Sequence, residues 1–310
     1  MICCSIPLVC GAGCGVPPAP PCPPAIDPLK LDGARALEAV QDFVAIGPRV
    51  SGTEGARVAA EYLARKLREA GIESEIDIFE DETPEGPVTF RNVIGRIPGR
   101  GNKKVVLLSH FDTKAGIDPA FVGANDSGSS TGLLLELGRV LAAVQPRQFE
   151  IVLAFVDGEE CRKRYSNHDG LHGSRRLVSR LKAAGEAERV LAVIVMDMIG
   201  DADLQVTLPR NGSAELISMA FSAAREEGAR RSFRLLGADI LDDHVPFLLA
   251  GIPAVDIIDF QYGSEPRKND YWHTPEDTMD KLSADSLRIV GRVVLRMLNA
   301  LDKSGDSLRR

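Results

Sequence analysis

Three short, uninterrupted apolar runs, at residues 105–108, 151–155 and 190–196, constrain the fold of this chain more than any other feature. A continuous apolar run of this length, followed by polar residues, is typical of a strand that is buried on both faces of a parallel sheet. Stretches with helical periodicity separate the three runs. The pattern therefore predicts an α/β protein, a three-layer α/β/α sandwich with a mixed, mostly parallel central sheet.

Composition and charge limit the domain organisation and the classes of partner. The chain has 310 residues, 44% of them hydrophobic, and a net charge of -7, which fits a globular protein with a substantial core. We predict one folded domain over residues 29–302, an apolar and Pro-rich segment over residues 1–28, and a flexible tail over residues 303–310. No basic stripe indicates a nucleic-acid partner, and no apolar run is long enough to cross a bilayer.

The first 15 residues are apolar and rich in small side chains, as in the hydrophobic part of an export signal. No Lys or Arg precedes Lys30, so the usual positive region of such a signal is missing. Cys14 lies in a weak lipoprotein-type cleavage box. We expect export to the periplasm or the exterior, with Cys14 as a candidate lipid anchor; a misassigned start codon is the alternative explanation.

Helix caps and periodicity predict the remaining elements. Asp32 and Thr53 are placed to cap the first two helices, and Asp243 is placed to cap a short helix that starts at His244. We interpret His244 as a residue that caps or braces this helix. An edge hairpin is predicted over residues 72–79 and 89–97, strands over 204–208 and 254–258, and helices over 33–45, 54–70, 129–144, 174–184, 213–227 and 283–301.

Metal-ligand side chains follow all three apolar runs. His110, Glu160 and Asp197 stand at the ends of these predicted strands, Asp126 opens a helix, and His273 lies on a late loop. Each has an ordinary structural explanation when it is taken singly. Because ligands bind at the carboxyl edge of an open α/β sheet, the five together predict a shared site. Two imidazoles and three carboxylates are a ligand set that suits Zn²⁺.

Glu159 and Glu160 are adjacent, directly after the second apolar run and Gly158. Successive residues of an extended chain point to opposite sides, so the two carboxylates should have different roles. Two neighbouring carboxylates also disfavour each other's ionisation unless a cation lies nearby.

Several short motifs follow one another in a fixed order along the chain: HFDTK at 110–114, FVGANDS at 121–127, DGEE at 157–160, DGLHGSR at 169–175, DMIG at 197–200, DDHVPF at 242–247 and WHT at 272–274. In these motifs the sequence resembles the glutaminyl cyclases, which share the fold of the di-zinc aminopeptidases, from about residue 47 to residue 298. The long stretch between Glu160 and Gly173 favours the cyclases over the aminopeptidases. Two departures, Tyr165 in place of a tryptophan and Leu241 in place of a glutamine, indicate a different pocket.

This resemblance implies a single catalytic zinc and names its ligands. In aminopeptidases the residues matching His110 and Asp197 help to hold a second zinc, and both are present here, so the number of zinc ions is one or two. The resemblance also implies a cis peptide bond between Asp126 and Ser127. The implied ligands of the catalytic zinc are Asp126, Glu160 and His273.

The resemblance further implies roles for residues around the metal. Glu159 would be the general base and acid, and the catalytic residues Asp197 and Asp242 would hold it in a hydrogen-bond network. The substrate pocket would be lined by Trp272, Tyr165 and Leu241.

The implied reaction is cyclisation of the N-terminal glutamine of a peptide to pyroglutamate, with release of ammonia. Glu159 would take a proton from the α-amine and return it to the leaving ammonia. In the alternative, a zinc aminopeptidase, Glu159 would activate a water that attacks the first peptide bond. A non-catalytic relative that binds peptides is a third hypothesis, and the complete ligand set argues against it. In each case the expected partners are the N-termini of peptides or proteins.

Overall fold

The structure, a computed structural model, describes residues 24–144 and 146–304. A six-stranded mixed sheet forms the centre of this part of the chain. The strand order is β1-β2-β4-β3-β5-β8. A second sheet pairs β6 with β7 in parallel. The strands are β1 (Glu73–Thr83), β2 (Gly86–Ile97), β3 (Lys103–His110), β4 (Phe149–Val156), β5 (Val190–Asp197), β6 (Val206–Leu208), β7 (Phe233–Leu235) and β8 (Ala254–Ile258).

The strand directions confirm the predicted mixed, mostly parallel sheet. β3 pairs in parallel with β4 and β5, and β5 pairs in parallel with β8. The predicted hairpin is β1 and β2, which are antiparallel, with β1 at the edge of the sheet. Because β3, β4, β5 and β8 run in one direction, their carboxyl ends meet at the same edge.

Helices cover both faces of the sheet, which confirms the three-layer sandwich. Alternate residues of β3 pack on opposite sides: Leu107 belongs to the larger apolar cluster and Leu108 to the smaller one. The buried strands therefore read as continuous apolar runs, as the sequence predicted. The helices are α1 (Gly33–Val44), α2 (Glu54–Glu69), α3 (Ser130–Ala142), α4 (His172–Ala183), α5 (Ala214–Glu226), α6 (His244–Leu249) and α7 (Ala284–Ser304), and a π-helical turn (Ala124–Ser129) precedes α3.

Two predicted helix caps are confirmed and a third is wrong. The side chain of Asp32 accepts from the amides of the first turn of α1, and that of Thr53 accepts from Ala56 in α2. Asp243 makes no such bond. It already has helical dihedral angles, φ -55 and ψ -19, whereas a capping residue is extended. The two ring nitrogens of His244 have no hydrogen-bond partner, so this side chain does not cap the helix either.

The ends of the folded domain differ from the prediction of 29–302. Ile26 is buried, and its backbone exchanges two hydrogen bonds with the side chain of Asn299. Lys303, predicted to lie in a tail, continues helix α7. Cys14 and the rest of residues 1–23 lie outside the described residues, as do residues 305–310. Export and lipid attachment therefore stay predictions.

A search of residues 24–144 and 146–304 finds no helix with the length and apolar character needed to cross a membrane.

Candidate active site

The ends of the parallel strands bring the predicted metal ligands together. His110, the last residue of β3, has its Nε2 3.1 Å from Asp126 Oδ1 and 3.2 Å from Asp197 Oδ1. His273 Nε2 lies 2.8 Å from Glu160 Oε1 and 3.2 Å from Asp126 Oδ2. All five side chains predicted from the sequence thus meet at one edge of the sheet, and Asp126 is central to them.

Two overlapping groups of these residues have the geometry of a metal site. Asp126, Glu160 and His273 each present a ligand atom, and the three atoms lie within 4.8 Å of one another. His110, Asp126 and Asp197 form a second such group. One imidazole with two carboxylates is a set that binds Zn²⁺, and three protein ligands leave a position open for substrate. The residues present therefore fit zinc in either group.

Asp126 is positioned by a carboxylate that the sequence analysis did not single out. The Asp126–Ser127 peptide bond is cis, as expected. The amides of Asn125 and Asp126 donate to Asp277 at 2.7 and 3.1 Å, and the hydroxyl of Tyr262 donates to it at 2.9 Å. Asp277 is 151 residues from Asp126 in the chain, so no local pattern could have indicated this contact.

Asp112 orients the two glutamates, and the sequence analysis gave it no role. The amides of Glu159 and Glu160 each donate to its carboxylate at 3.2 Å. Gly158 turns the chain just before them with φ 77, and a Cβ there would lie 2.5 Å from the ring of Phe90. The position of Asp112 in the same short motif as His110 was the one sequence signal for this role.

The surroundings of Glu159 are those of a general base. Burial raises the pKa of Glu159 well above its ordinary value, and the negative charges of Glu160 and Asp242 raise it further. The hydroxyl of Tyr165 donates to Glu159 Oε1 at 2.8 Å. Burial also raises the pKa of Asp197 to about 7, against the effect of its hydrogen bond with His110. Carboxyl groups with raised pKa values can exchange protons near neutral pH.

Glu160 has a cationic neighbour that the sequence analysis did not predict. Lys114 Nζ lies 3.2 Å from Glu160 Oε2 and donates to the carbonyl of Cys161 at 2.5 Å. Burial alone would lower the pKa of Lys114, but the charge of Glu160 raises it above its ordinary value. The ammonium group therefore favours the ionised form of Glu160, although burial and the charge of Asp126 keep the pKa of this carboxyl above its ordinary value.

The three residues predicted to line a pocket are divided between two places. Tyr165 and Leu241 line the same cleft, with a volume of about 380 Å³, and Leu241 is 47% exposed. Trp272 is half-buried and stacks on the imidazole of His273, with ring centroids 4.0 Å apart. The ring of Phe260 is tilted against Trp272, with centroids 5.2 Å apart. Trp272 therefore fixes the ring of a predicted metal ligand.

Comparisons with known proteins agree with this fold. The sequence profile of Peptidase family M28 matches residues 92–298. A glutaminyl cyclase from an Acidobacteriales bacterium has 35% sequence identity and a TM-score of 0.84, over 94% of this chain and 100% of that one. The glutaminyl-peptide cyclotransferase of Drosophila melanogaster is 27% identical over 79% of this chain and 76% of its own length. A Zn-dependent exopeptidase from Parabacteroides distasonis has a TM-score of 0.75, with 25% identity over 89% of this chain and 98% of that one.

The chain belongs to Peptidase family M28, a family of the zinc aminopeptidase superfamily. Within that superfamily it falls in the branch of the glutaminyl cyclases, as the resemblance of its motifs indicated.

Proposed function

We propose that this protein is a zinc-dependent glutaminyl-peptide cyclotransferase, which converts the N-terminal glutamine of peptides to pyroglutamate and releases ammonia. The similarity to the Acidobacteriales glutaminyl cyclase, at 35% identity over 94% of the chain, is the observation that carries the proposal. The site supports it, because a buried carboxyl with a raised pKa lies beside a group of residues that fits a metal.

Asp126, Glu160 and His273 would hold the catalytic zinc. Zn²⁺ bound there would polarise the γ-carbonyl of the substrate glutamine. Lys114 holds the side chain of Glu160 in position, and Asp277 holds the backbone at Asp126. Their contacts reduce the reorganisation needed when the metal binds.

Glu159 would transfer the proton. Its carboxylate accepts a proton from the α-amine of the substrate as the amine nitrogen forms a bond to the γ-carboxamide carbon. The bond between that carbon and the amide nitrogen then breaks, and Glu159 gives its proton to the leaving ammonia. Tyr165 fixes one oxygen of Glu159 through its hydrogen bond at 2.8 Å. Asp242 adds negative charge that keeps the base strong, and we assign Asp197, whose own pKa is raised to about 7, to the hydrogen-bond network around Glu159.

We further propose that the substrate side chain lies between Trp272 and the cleft of Tyr165 and Leu241. Trp272 presents a flat aromatic surface beside His273, and such a surface packs well on an amide group. Leu241 is exposed in the cleft and would contact residues that follow the glutamine.

A zinc aminopeptidase remains the second candidate, and one observation favours it. His110 completes a second group of ligands with Asp126 and Asp197, as two-zinc hydrolysis would require. In that reaction Glu159 would take a proton from a water that attacks the first peptide bond.

Mass spectrometry of a peptide that begins with glutamine separates the two activities. We expect the purified protein to produce a peptide lighter by one ammonia, and the Glu159→Gln variant to leave the substrate intact. A matched peptide that begins with alanine should stay unchanged. Loss of the whole first residue from either peptide would establish the aminopeptidase instead, and no change in either peptide would refute both.

A further inference from the structure

A buried polar cluster lies beneath the candidate active site and includes two residues that the proposed reaction does not use, Asp256 and His244. Asp256 is in β8 and His244 begins α6, and both are fully buried. Asp242 precedes α6 and is 4% exposed. One polar side-chain atom from each of these three residues lies within 4.8 Å of the other two.

Asp256 and His244 lack ordinary hydrogen-bond partners, whereas Asp242 accepts from the amide of Asp243. No N–H or hydroxyl group of the described residues donates to the carboxylate oxygens of Asp256, and neither ring nitrogen of His244 has a hydrogen-bond partner. His244 Nδ1 is 3.9 Å from Asp256 Oδ2, which is too long for a hydrogen bond. A buried polar group without a partner is strongly destabilising, so each of these atoms calls for an explanation.

Side-chain oxygens of Asp242 and Asp256 lie within 4.8 Å of each other, and a hydrogen bond between the two carboxyls acts to raise the pKa of Asp256 and to lower that of Asp242. Two ionised carboxylates are both acceptors and repel each other, whereas one proton between them makes a hydrogen bond. The contact between these side chains is therefore stable only when one of the two carries a proton.

The groups around Asp256 favour its protonated form, so Asp256 is the member of the pair that carries the proton. Burial raises the pKa of Asp256 well above its ordinary value, and Asp242, Asp197 and Asp243 raise it further with their negative charges. No cation among the described residues offsets them at Asp256 itself, because burial lowers the pKa of His244 to about 4 and keeps its ring neutral, and the charge of His110 acts on Asp242 and Asp243 instead.

We propose that Asp256 is a positioning residue that keeps a proton and donates it to Asp242, so that the Asp242 carboxylate is held beside Glu159. The inference rests on the proposed function only for its kinetic readout. A hydrogen bond from Asp256 satisfies Asp242, which then does not compete with Glu159 for the proton of the substrate amine.

Two substitutions by side chains of similar size separate the effect of the donated proton from the effect of side-chain volume. Asp256→Asn keeps an N–H donor and should retain nearly the kcat of the wild type. Asp256→Leu has no donor, and we expect its kcat to fall about 10- to 100-fold, the usual effect of losing an outer partner of a catalytic group, while KM and metal content stay unchanged.

The dependence of kcat on pH distinguishes a proton donor from a purely structural residue, because loss of a structural residue would not shift this profile. An amide does not lose its proton in this range, so the alkaline limb of kcat should shift to higher pH in Asp256→Asn. Equal kcat values for the Asn and Leu variants, or an unchanged alkaline limb, would overturn the proposal. Asp259→Asn and Asp259→Leu are the matched controls, because Asp259 follows the same strand but accepts from the amides of Gln205 and Gln261.

Infrared spectroscopy tests the proton without any turnover. At mildly alkaline pH, where Asp259 with its pKa of about 7 is ionised, the wild type should show one more protonated carboxyl than Asp256→Asn, and Asp259→Asn should match the wild type. If no variant cyclises glutamine but this difference is present, the proposed function fails and the shared proton stands. The shared proton would be refuted if the infrared band of protonated carboxyl groups were undiminished in Asp256→Asn. It would also be refuted if the wild type bound one more metal ion per chain than this variant.

Discussion

Glu159 and Glu160 are adjacent residues with different surroundings. Glu159 accepts from the hydroxyl of Tyr165, whereas Glu160 contacts His273 and the ammonium group of Lys114. Their amides are held by the same carboxylate, that of Asp112, so the two side chains are fixed relative to each other. The different contacts assign proton transfer to Glu159 and metal binding to Glu160 in the proposed mechanism.

Removing each charge in turn should separate these roles. Glu160→Gln should lower zinc content, because a neutral amide is a poorer ligand for a hard dication. Glu159→Gln should retain the metal and lose turnover by about 10²–10⁴-fold, the usual contribution of a general base. Metal analysis and kcat are measured on the same samples, with the wild type as the control. Equal loss of metal from both variants would show that the assignment is wrong.

Trp272 is the only tryptophan of the chain, and it stacks on His273. If the ring also contacts the substrate, Trp272→Ala should raise KM about 2- to 10-fold, in line with the ~0.5–1.5 kcal/mol of an aromatic contact. Zinc content should stay near that of the wild type, and Trp272→Phe should recover most of the affinity. Unchanged kinetics in Trp272→Ala would exclude the ring from the pocket. In the wild type, removal of zinc should change the intrinsic fluorescence.

At the scale of elements, the loop that follows Glu160 carries Tyr165 to Glu159, the proposed general base. Asp169 anchors this loop, since its carboxylate accepts from the amides of residues 162, 163 and 164 at 2.5, 2.9 and 2.9 Å. Leu171 ends the loop in the left-handed region, with φ 54. A carboxylate that accepts hydrogen bonds from several amides can order such a loop without regular secondary structure.

Asp169→Ala should release this loop and weaken the contact of Tyr165 with Glu159. We expect the unfolding free energy to fall by about 1–3 kcal/mol, because three partly buried hydrogen bonds lose their charged acceptor. We expect kcat to fall by the same factor as in Tyr165→Phe, and limited proteolysis to cut the loop faster. Asp239→Ala removes an exposed carboxylate that pairs with Arg210, so it serves as the control and should keep kcat. A full kcat in Asp169→Ala would contradict the proposed role of the loop.

Local patterns predicted most of these elements, and distant contacts escaped prediction. The caps at Asp32 and Thr53 depend on amides within three residues, so they could be read from the sequence. Asp243 has the residue type of a cap, but its helical dihedral angles remove that role. Asp277 and Asp256 meet their partners only after the sheet has formed, and no periodicity or spacing indicates such pairs.

At the scale of the whole molecule, the candidate zinc site joins parts of the chain that are distant in sequence. Glu160 follows β4, Asp126 lies in the turn before α3, and His273 is on a loop 113 residues after Glu160. His273 has φ 54, a left-handed conformation that is unfavourable for a residue with a side chain. Contacts with Asp126 and Glu160 compensate for this strain. A metal shared by the three residues would therefore stabilise the fold as well as the reaction.

Removal of zinc should lower the melting temperature. A ligand that binds only the folded state adds about 2.7 kcal/mol at a free concentration of one hundred times its Kd, and about 2–4 °C of Tm accompanies each kcal/mol in a protein of this size. We therefore expect a chelator to lower Tm on the order of 5–10 °C, and added zinc to restore both Tm and turnover. Glu160→Gln is the matched control, because a protein that binds zinc weakly should show little change with the chelator. A wild-type Tm that does not respond to the chelator, in a sample shown to have lost its zinc, would mean that the metal does not hold His273 to the sheet.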